Sequence, residues 1–314
     1  MLPSPAEIKR ILIVTDAWHP QVNGVVRTIM NTCSELEQMG CSVEMITPAD
    51  YKTVPCPTYP EIRLSLAGSR GVEARIRALA PDAIHIATEG PLGWAARNAC
   101  IRNKWRFTTA YHTRFPEYVH ARTRLPVSWL YTLFRAFHSP AEVMLAPTQA
   151  IIRALAARGF SNVGFWSRGV DHQIFYPRVE QKPANPDHPV WLYAGRLAVE
   201  KNIQAFLDLD LPGEKWVAGE GPLEVSLKRH YKGIRWIGVV SQRELAELYS
   251  RADVFVFPSK TDTFGLVMVE AMACGLPVAA YPVEGPLDVI GDSRGGVMQR
   301  PQAGVHAVFI DPPL

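Results

Sequence analysis

Short runs of β-branched residues alternate along this chain with segments whose apolar residues have helical spacing. The run at 10–15 (RILIVT) is followed by apolar residues spaced as on a helix at 26–36, and a second strand pattern covers 42–47. A strand, a helix and a second strand in this order form the unit that builds parallel sheets. Further strand patterns lie at 83–87, 106–111 and 143–146. The first half of the chain is therefore predicted to be a doubly wound α/β domain.

A segment rich in proline and charge interrupts the alternation. Residues 177–189 (PRVEQKPANPDHP) offer almost nothing that a core could bury, which is typical of an interdomain linker. A second series of strand patterns lies at 190–194, 215–218, 233–236, 254–257 and 277–280. With 314 residues and 47% hydrophobic content, the chain is long enough for two cores. We predict two Rossmann-like domains, 1–176 and 190–314, that face each other across a cleft.

Charge and cysteine usage exclude several classes of protein. The 33 basic and 30 acidic side chains give a net charge of only +3, well short of the basic excess of nucleic-acid-binding proteins. The five cysteines include no CxxC pair and do not cluster with histidines, so we expect reduced structural thiols. Neither a signal-peptide pattern nor a run of about 18 apolar residues occurs. We therefore expect a cytoplasmic protein that does not bind nucleic acid.

Two cations follow the first strand of the second domain. In the segment GRLAVEKN, Gly195 frees the backbone, and Arg196 and Lys201 precede a helix. Ligands of doubly wound sheets bind at the carboxyl ends of the strands, where two cations would neutralise a diphosphate leaving group. Two solvated surface cations are the alternative, which this segment alone does not exclude.

A carboxylate lies inside an apolar helix later in this domain. The segment 259–275 (SKTDTFGLVMVEAMACG) places Asp262 in a loop, a turn at Phe264 and Gly265, and Glu270 within the helix. Exposed N–H groups at a helix start suit a phosphate, and a buried carboxylate needs donors such as those of a ribose diol. The segment therefore favours a nucleotide-sugar ligand, and a local salt bridge of Glu270 is the alternative.

Glycines and one histidine stand at other strand ends. The turn at 218–222 (AGEGP) and Gly238 each follow a strand, although tight turns would explain both. Gly24 opens the first predicted helix and gives the backbone room there, with a mere turn as the alternative. His112 follows the strand at 106–111, and a hydrogen-bonded structural histidine is the alternative at that position.

These segments together resemble the retaining glycosyltransferases of family 4, which have the GT-B fold. The resemblance runs from Ile11 to about Asp288 and is most specific in the E-x7-E-type signature, where Asp262 and Glu270 stand eight positions apart. Aspartate in the first position departs from the family pattern and shortens the reach to the sugar. The family's G-R-x5-K diphosphate grip corresponds to GRLAVEK, in which the spacing is slightly shorter.

The resemblance implies roles for individual residues. Arg196 and Lys201 would hold the diphosphate, Glu270 the ribose and Asp262 the transferred sugar, while the amides of 264–267 would bind phosphate. It also places His112 beside the transferred sugar. The predicted catalytic residues are His112, Arg196, Lys201 and Asp262. The predicted donor-binding residues are Gly24, Gly195, Glu220, Gly238, Thr263, Phe264, Gly265, Leu266 and Glu270.

The predicted reaction moves a hexose from a nucleotide-sugar to a hydroxyl of a lipid or glycan, with retention. The resemblance favours mannose and GDP-mannose, and a UDP-sugar-dependent glycolipid glycosyltransferase is an alternative. We expect no metal and no cofactor, because no DxD-like pair stands out and two cations already offset the diphosphate. The rival class, a nucleotide-dependent oxidoreductase, would need GxGxxG after the first strand, where the chain instead reads DAWH.

Two further segments, one aromatic and one at the C-terminal end, bear on binding partners and on stability. Two cations, Arg122 and Arg124, precede an aromatic segment that includes Trp129 and Phe134. Such a segment either packs on the sheet as an amphipathic helix, which we favour, or receives a lipid or lies on an anionic membrane surface from the cytoplasmic side. After 288–291 the strand and helix patterns fade, so we expect a truncated C-terminal end and lower stability. A weakly active or non-catalytic nucleotide-sugar-binding homologue is therefore a further alternative.

Overall fold

The computed structural model describes residues 8–21, 23–56, 59–178, 188–291, 298–299 and 306–309. The chain divides into two compact units, Met1–Ser167 and Arg168–Leu314. Phe175 is buried in the core of the second unit, which explains why the division falls before the predicted boundary at residue 176. Most of the predicted linker at 177–189 lies outside the described residues.

A parallel sheet forms the centre of the first unit. The strands of this unit are, in chain order, β1 (Arg10–Val14), β2 (Ser42–Ile46), β3 (Thr53–Cys56), β4 (Tyr59–Ser65), β5 (Ala83–Ile86), β6 (Thr108–Ala110), β7 (Met144–Ala146) and β8 (Val163–Phe165). Six of them form one sheet in the order β2-β1-β5-β6-β7-β8, with every pair parallel. β3 and β4 form a separate antiparallel hairpin, which the strand patterns do not predict.

The helices of the first unit pack on this sheet through their apolar faces. They are α1 (Gly24–Gln38), α2 (Ser69–Leu79), α3 (Pro91–Asn103), α4 (Phe115–Thr123), α5 (Val127–His138) and α6 (Gln149–Ala156). Leu12 of β1, Ile76 of α2 and Ala96 of α3 belong to one buried cluster. The start of α1 is fixed by Asn23, whose side-chain oxygen accepts from the N–H groups of Val25 and Val26.

The second unit has the strand order of a Rossmann fold. Its strands are β9 (Val190–Ala194), β10 (Glu214–Ala218), β11 (Ile234–Gly238), β12 (Val254–Phe257), β13 (Val278–Ala280), β14 (Met298–Gln299) and β15 (His306–Phe309). They lie in the order β11-β10-β9-β12-β13-β15-β14, and the pair of β14 and β15 is antiparallel. β15 pairs with β13, so strands continue in the segment where the patterns were expected to fade. The order reverses at β9, and ligands of such sheets bind at that reversal.

The helices of the second unit are α7 (Gln204–Leu207), α8 (Glu224–His230), α9 (Gln242–Arg251), α10 (Leu266–Ala273) and α11 (Glu284–Ile290). The SxxE pattern of Ser241 and Glu244 predicts the start of α9, and the structure confirms it. The Ser241 hydroxyl accepts from the Glu244 N–H at 3.3 Å, and the Glu244 carboxylate accepts from the Ser241 N–H at 2.7 Å. Strand and helix residues such as Leu192, Leu245 and Met268 form one buried core.

Candidate functional site

Two loops at the carboxyl ends of β9 and β12 are tied together by hydrogen bonds. A short 3-10 helix, Val199–Lys201, is followed by Asn202 in the left-handed conformation (φ 52°). The Asn202 side chain donates to the carbonyl of Pro258 at 3.0 Å. The Thr261 hydroxyl donates to the carbonyl of Glu200 at 3.1 Å. These bonds hold the segment predicted to bind the diphosphate against the segment predicted to bind the sugar.

Lys201 and Asp262, two predicted catalytic residues, contact each other directly. Lys201 Nζ lies 2.5 Å from Asp262 Oδ1, and both side chains are partly buried. The other carboxylate oxygen, Oδ2, is buried and has no hydrogen-bond partner among the described residues. A buried acceptor without a donor is costly unless a ligand or water supplies one. The loop therefore presents a cation and an acceptor side by side.

The backbone around Arg196 is held by a buried tyrosine. The Tyr193 hydroxyl donates to the carbonyl of Arg196 at 2.8 Å. The pKa of Tyr193 is raised, chiefly by burial and further by the nearby carboxylates of Asp262 and Glu200. Tyr193 is thus a neutral donor that fixes the turn after β9. Gly195 precedes Arg196 in this turn, and its N–H donates to the carbonyl of Ala218 at 3.0 Å.

Glu270 is buried within α10, as its apolar surroundings in the sequence predict. The Tyr249 hydroxyl donates to Glu270 Oε2 at 3.4 Å. The helix follows Gly265, which adopts a left-handed conformation (φ 80°) and has no side chain to cap the first N–H groups. The start of α10 therefore has the features of an anion-binding helix terminus.

The loop that leads into α10 is packed tightly on its neighbours. Thr263 is buried, while Phe264 and Leu266 are half-buried, and Phe264 packs against the core of the second unit. A Cβ at Gly285, in the first turn of α11, would lie 2.5 Å from the carbonyl oxygen of Asp262. The α11 backbone thus supports the loop from one side, and a side chain at 285 would displace it.

The glycine-rich turn after β10 forms part of the same loop cluster. The N–H of Leu197 donates to the carbonyl of Glu220 at 2.9 Å, and the N–H of Gly219 donates to the carbonyl of Gly238 at 2.7 Å. Gly219 adopts φ 123°, and a Cβ there would lie 2.0 Å from the carbonyl oxygen of Gly195. Glycine at 219 is therefore explained by close packing of backbones. The Glu220 side chain is exposed, whereas Gly238 (φ 81°) has open space beside its Cα.

Gly24 and His112 lie in the first unit, whereas the other candidates lie in the second. Gly24 is exposed at the start of α1, where Asn23 already occupies two of the N–H groups. His112 follows β6 and is half-buried, with its ring 6.1 Å from that of Trp166 in an edge-on arrangement. Hydrogen bonds thus join the loops that carry Lys201, Glu220 and Asp262 in the second unit, whereas Gly24 and His112 belong to the first unit.

One buried carboxylate that the sequence analysis did not select organises the carboxyl edge of the first sheet. Asp16 follows β1, and its carboxylate accepts from the N–H groups of Leu92 and Gly93 at 2.8 and 3.0 Å and from the Thr88 hydroxyl at 3.0 Å. Burial, partly offset by these hydrogen bonds, raises the pKa of Asp16. Asp16 therefore caps α3 from another strand. An acid directly after β1, together with a GP start of α3 that lacks its own cap, was the available signal.

Within the part of the chain that the structure describes, no cluster of histidine, cysteine and acidic side chains has the arrangement of a metal site. Among the same residues, no helix has the length and apolar character needed to cross a bilayer.

Comparison with known proteins decides the family. The family model described as Glycosyltransferase Family 4 matches residues 22–174, and the model described as Glycosyl transferases group 1 matches residues 188–308. A GDP-mannose-dependent alpha-mannosyltransferase of Mycobacterium tuberculosis is 30% identical to the chain, over 92% of the chain and 83% of that protein. The chain belongs to glycosyltransferase family 4. Its two parallel-sheet units have the GT-B fold, as predicted.

Other relatives of this family 4 chain carry different names. A sulfoquinovosyl transferase of Arabidopsis thaliana is 30% identical over 91% of the chain, which spans only 62% of that relative's length. An alpha-monoglucosyldiacylglycerol synthase of Streptococcus pneumoniae is 26% identical over 92% of the chain and 75% of its own length. Among solved structures, sucrose-phosphate synthase from Thermosynechococcus elongatus matches 89% of the chain and 82% of its own, with a TM-score of 0.70 and 21% identity. That structural likeness shows the fold alone.

Proposed function

We propose that this family 4 chain transfers a hexose from a nucleotide-sugar to a hydroxyl group, with retention of configuration at the anomeric carbon. The observation that carries the proposal is the pair of Lys201 and Asp262, which joins the loops at the carboxyl ends of β9 and β12. A cation, a carboxylate with one unsatisfied oxygen and an uncapped helix start suit a sugar bonded to a diphosphate. Family membership supports the same reaction class.

The proposed donor contacts follow from charge and burial. Arg196 and Lys201 offset the negative charge that grows on the diphosphate as the glycosidic bond breaks. The N–H groups at 264–267 bind phosphate oxygens at the start of α10. Asp262 accepts a hydrogen bond from a sugar hydroxyl through Oδ2, and Glu270 accepts from the ribose. The proposed donor-binding set also includes Gly195, Glu220, Gly238 and Thr263.

The proposed mechanism requires no side-chain nucleophile. The bond between the anomeric carbon and the phosphate oxygen breaks, and the acceptor oxygen bonds to the same face of that carbon. The acceptor proton moves to the departing phosphate oxygen, so the leaving group acts as the base. His112 and Gly24 of the first unit are proposed to contact the transferred sugar and the acceptor or phosphate, respectively. Because Arg196 and Lys201 supply the positive charge, the proposal includes no metal and no cofactor.

We favour mannose as the sugar and GDP-mannose as the donor, because a relative with that stated donor is 30% identical over most of the chain. The proposed acceptor is a lipid or glycan hydroxyl on the cytoplasmic side. UDP-sugar-dependent glycolipid synthesis is the second candidate, and similarity to a monoglucosyldiacylglycerol synthase supports the lipid acceptor. The two candidate functions differ in the nucleobase of the donor, which is guanine in the first and uracil in the second.

Equilibrium binding of nucleotides tests the proposed site. The full chain would be titrated with GDP and with UDP and compared with Glu270→Gln and Glu247→Gln variants. Glu247 is exposed on α9 and serves as a matched control. We expect GDP to bind the wild type and Glu247→Gln equally, and Glu270→Gln about tenfold more weakly. Tighter binding of UDP would select the second candidate, and a folded wild type that binds neither nucleotide would overturn the proposal.

A further inference from the structure

A histidine is buried where the packed side of α5 ends. α5 packs on the first unit through Leu130 and Phe137, as its amphipathic pattern predicts, and His138 is its last residue. The His138 side chain is 0% exposed, and its ring lies 4.9 Å from that of Phe137 and 6.3 Å from that of Phe160. An imidazole in such apolar surroundings is costly in free energy unless its ring nitrogens have polar partners.

The two ring nitrogens of His138 lie beside Thr109 and Glu89. Nδ1 is 2.9 Å from the hydroxyl oxygen of Thr109, a residue of β6 that is also 0% exposed. Nε2 is 3.3 Å from Glu89 Oε1, close enough for an electrostatic contact although the two atoms are not aligned as in a hydrogen bond. A threonine hydroxyl that donates to Nδ1 leaves the proton of a neutral ring on Nε2, beside the carboxylate. His138 therefore links the loop that carries Glu89 to the buried part of β6.

The loop that carries Glu89 lies where the strand order of the first sheet reverses. β2 lies on one side of β1 and β5 on the other, so the loops after β1 and β5 flank the crevice where such sheets bind ligands. The Thr88 hydroxyl accepts from the Asp16 N–H at 2.6 Å and donates to the Asp16 carboxylate at 3.0 Å, which holds the two loops together. Asp16 uses both carboxylate oxygens to cap α3, which leaves Glu89 as the carboxylate of these loops that can meet a ligand.

The two oxygens of the Glu89 carboxylate differ in their surroundings. Oε1, the oxygen beside His138, is buried, whereas the side chain as a whole is 14% exposed. Among the residues that the structure describes, Oε2 has no hydrogen-bond donor. A carboxylate that is held at one oxygen and lacks a donor at the other is suited to accept a hydrogen bond from a hydroxyl group.

Glu89 and His112 stand at the same edge of the first sheet. Ile86 of β5 pairs with Thr109 of β6. Glu89 and His112 each follow this pair by three residues, and neighbouring strands are about 4.8 Å apart. His112 is proposed to contact the transferred sugar, so a hydroxyl that reaches the neighbouring loop would belong to the acceptor.

We propose that His138 is a positioning residue, which holds Oε1 of Glu89 while Oε2 accepts a hydrogen bond from a hydroxyl of the acceptor. The proposal rests on the proposed sugar transfer and adds an acceptor contact to it. The alternative is a purely structural pair, in which the carboxylate only satisfies the buried ring. A structural pair would affect the stability of the first unit, and it would leave the KM of folded molecules for the acceptor unchanged.

Acceptor kinetics of the full chain test the proposal. Release of nucleotide would be measured against increasing octyl glucoside, octyl mannoside or dioctanoylglycerol, with whichever of GDP-mannose and UDP-glucose gives the higher wild-type rate. The acceptor with the highest wild-type rate would then be used for the variants. We expect Glu89→Gln to raise the KM for that acceptor about tenfold and to leave the KM for the donor within about twofold. Glu142→Gln changes an exposed glutamate that pairs with Arg106, and it should leave both KM values unchanged.

Substitutions of His138 separate positioning from packing. His138→Phe keeps an aromatic ring in the core and removes both nitrogens, so it should raise the acceptor KM about fivefold. His138→Gln should bring the acceptor KM to within about twofold of wild type, because the glutamine amide can place an N–H group near the position of Nε2. The double variant Glu89→Gln, His138→Phe should resemble Glu89→Gln alone, because His138 acts through Glu89.

Thermal unfolding would verify that each variant is folded, and several outcomes would overturn the proposal. An unchanged acceptor KM in folded Glu89→Gln would remove the acceptor contact. A lower melting temperature of His138→Phe with an unchanged acceptor KM would assign His138 to the core alone. A wild type that binds GDP or UDP but transfers to none of the three acceptors would overturn this proposal and leave the nucleotide site in place. A folded wild type that binds neither nucleotide would overturn the proposed function and this contact with it.

Discussion

Lys201 Nζ lies 2.5 Å from Asp262 Oδ1, although the two residues are 61 positions apart in the chain. The family resemblance implies separate roles for the two residues, the lysine at the diphosphate and the aspartate at the sugar. In the structure they form one unit, in which the lysine offsets the carboxylate and the second carboxylate oxygen lacks a partner among the described residues. A nucleotide-sugar that reached this pair would add a hydroxyl donor to Asp262 and an anion to Lys201.

Replacing Lys201 by methionine should destabilise the chain and weaken nucleotide binding together. The substitution leaves a partly buried carboxylate without its cation, so we expect the free energy of unfolding to fall by about 1–2 kcal/mol. Loss of a charge-assisted contact should weaken nucleotide diphosphate binding by about tenfold or more. Chemical denaturation and nucleotide titration measure the two effects.

The control is Lys228→Met, which removes the partner of Glu224 from an exposed i,i+4 pair on α8. That change should cost less than about 0.5 kcal/mol and leave nucleotide binding unaltered. If the two lysine variants behave alike, the pair at Lys201 has no special role. A double-mutant cycle with Asp262→Asn would then show no coupling.

Alanine at Gly219 should disrupt the loop cluster. Its Cβ would meet the carbonyl oxygen of Gly195 at 2.0 Å, and φ 123° is a conformation that side-chain-bearing residues avoid. We expect a loss of about 3 kcal/mol in the free energy of unfolding, measured by denaturation.

Gly233→Ala separates the two causes, because Gly233 has φ 74° but nothing within 4 Å of an added Cβ. Only the conformational cost applies there, so we expect about 1 kcal/mol. Equal losses at the two glycines would show that the close approach of Gly219 to Gly195 contributes nothing.

Glu73 should make the first unit sensitive to acid. Hydrogen bonds from Arg102, Asn103 and Arg77 lower the pKa of Glu73 from 4.5 to about 2. Since the pKa is lower in the folded state, the unfolded chain binds more protons between these values, and stability falls as the pH drops through this window. Glu73→Gln should therefore lower the melting temperature at neutral pH, and its difference from wild type should shrink on acidification.

Thermal unfolding followed at several pH values between about 4.5 and about 2 measures this effect. The Glu244→Gln variant provides a comparison at a second glutamate whose pKa is lowered, there by the Ser241 hydroxyl and N–H within its own capping box. A difference between Glu73→Gln and wild type that stays constant across the window would contradict the assigned pKa.

The general architecture could be predicted from the sequence because buried parallel strands are short apolar runs between helical patterns. The start of α9 could also be predicted, since its capping box is local in sequence. The β3 and β4 hairpin was missed, because its prolines and polar residues at 53–65 hide the strand pattern. Contacts between distant segments could not be predicted, and both the pair of Lys201 with Asp262 and the capping of α3 by Asp16 are of this kind.

The residues of the candidate site also divide into those that the local sequence reveals and those that it does not. The burial of Glu270 could be predicted, since the carboxylate lies inside an apolar helix, whereas its contact with a ribose stays a prediction. The turn at 218–222 is ambiguous in the sequence, and the close approach of Gly219 to Gly195 explains that glycine without a ligand. The outward direction of Trp129 could not be inferred, because a segment as aromatic as α5 offers two plausible faces to the core.

Release of nucleotide from a panel of nucleotide-sugars tests whether the pair of Lys201 and Asp262 acts in sugar transfer. Wild type, Lys201→Met, Asp262→Asn and Lys228→Met would be assayed with GDP-mannose and with UDP-hexoses, with lipid and glycan acceptors present. We expect wild type and Lys228→Met to release GDP from GDP-mannose, and the other two variants to lose at least about a hundredfold in kcat/KM. A folded wild type that binds nucleotide but releases none from any donor, or full activity of Lys201→Met and Asp262→Asn, would contradict it.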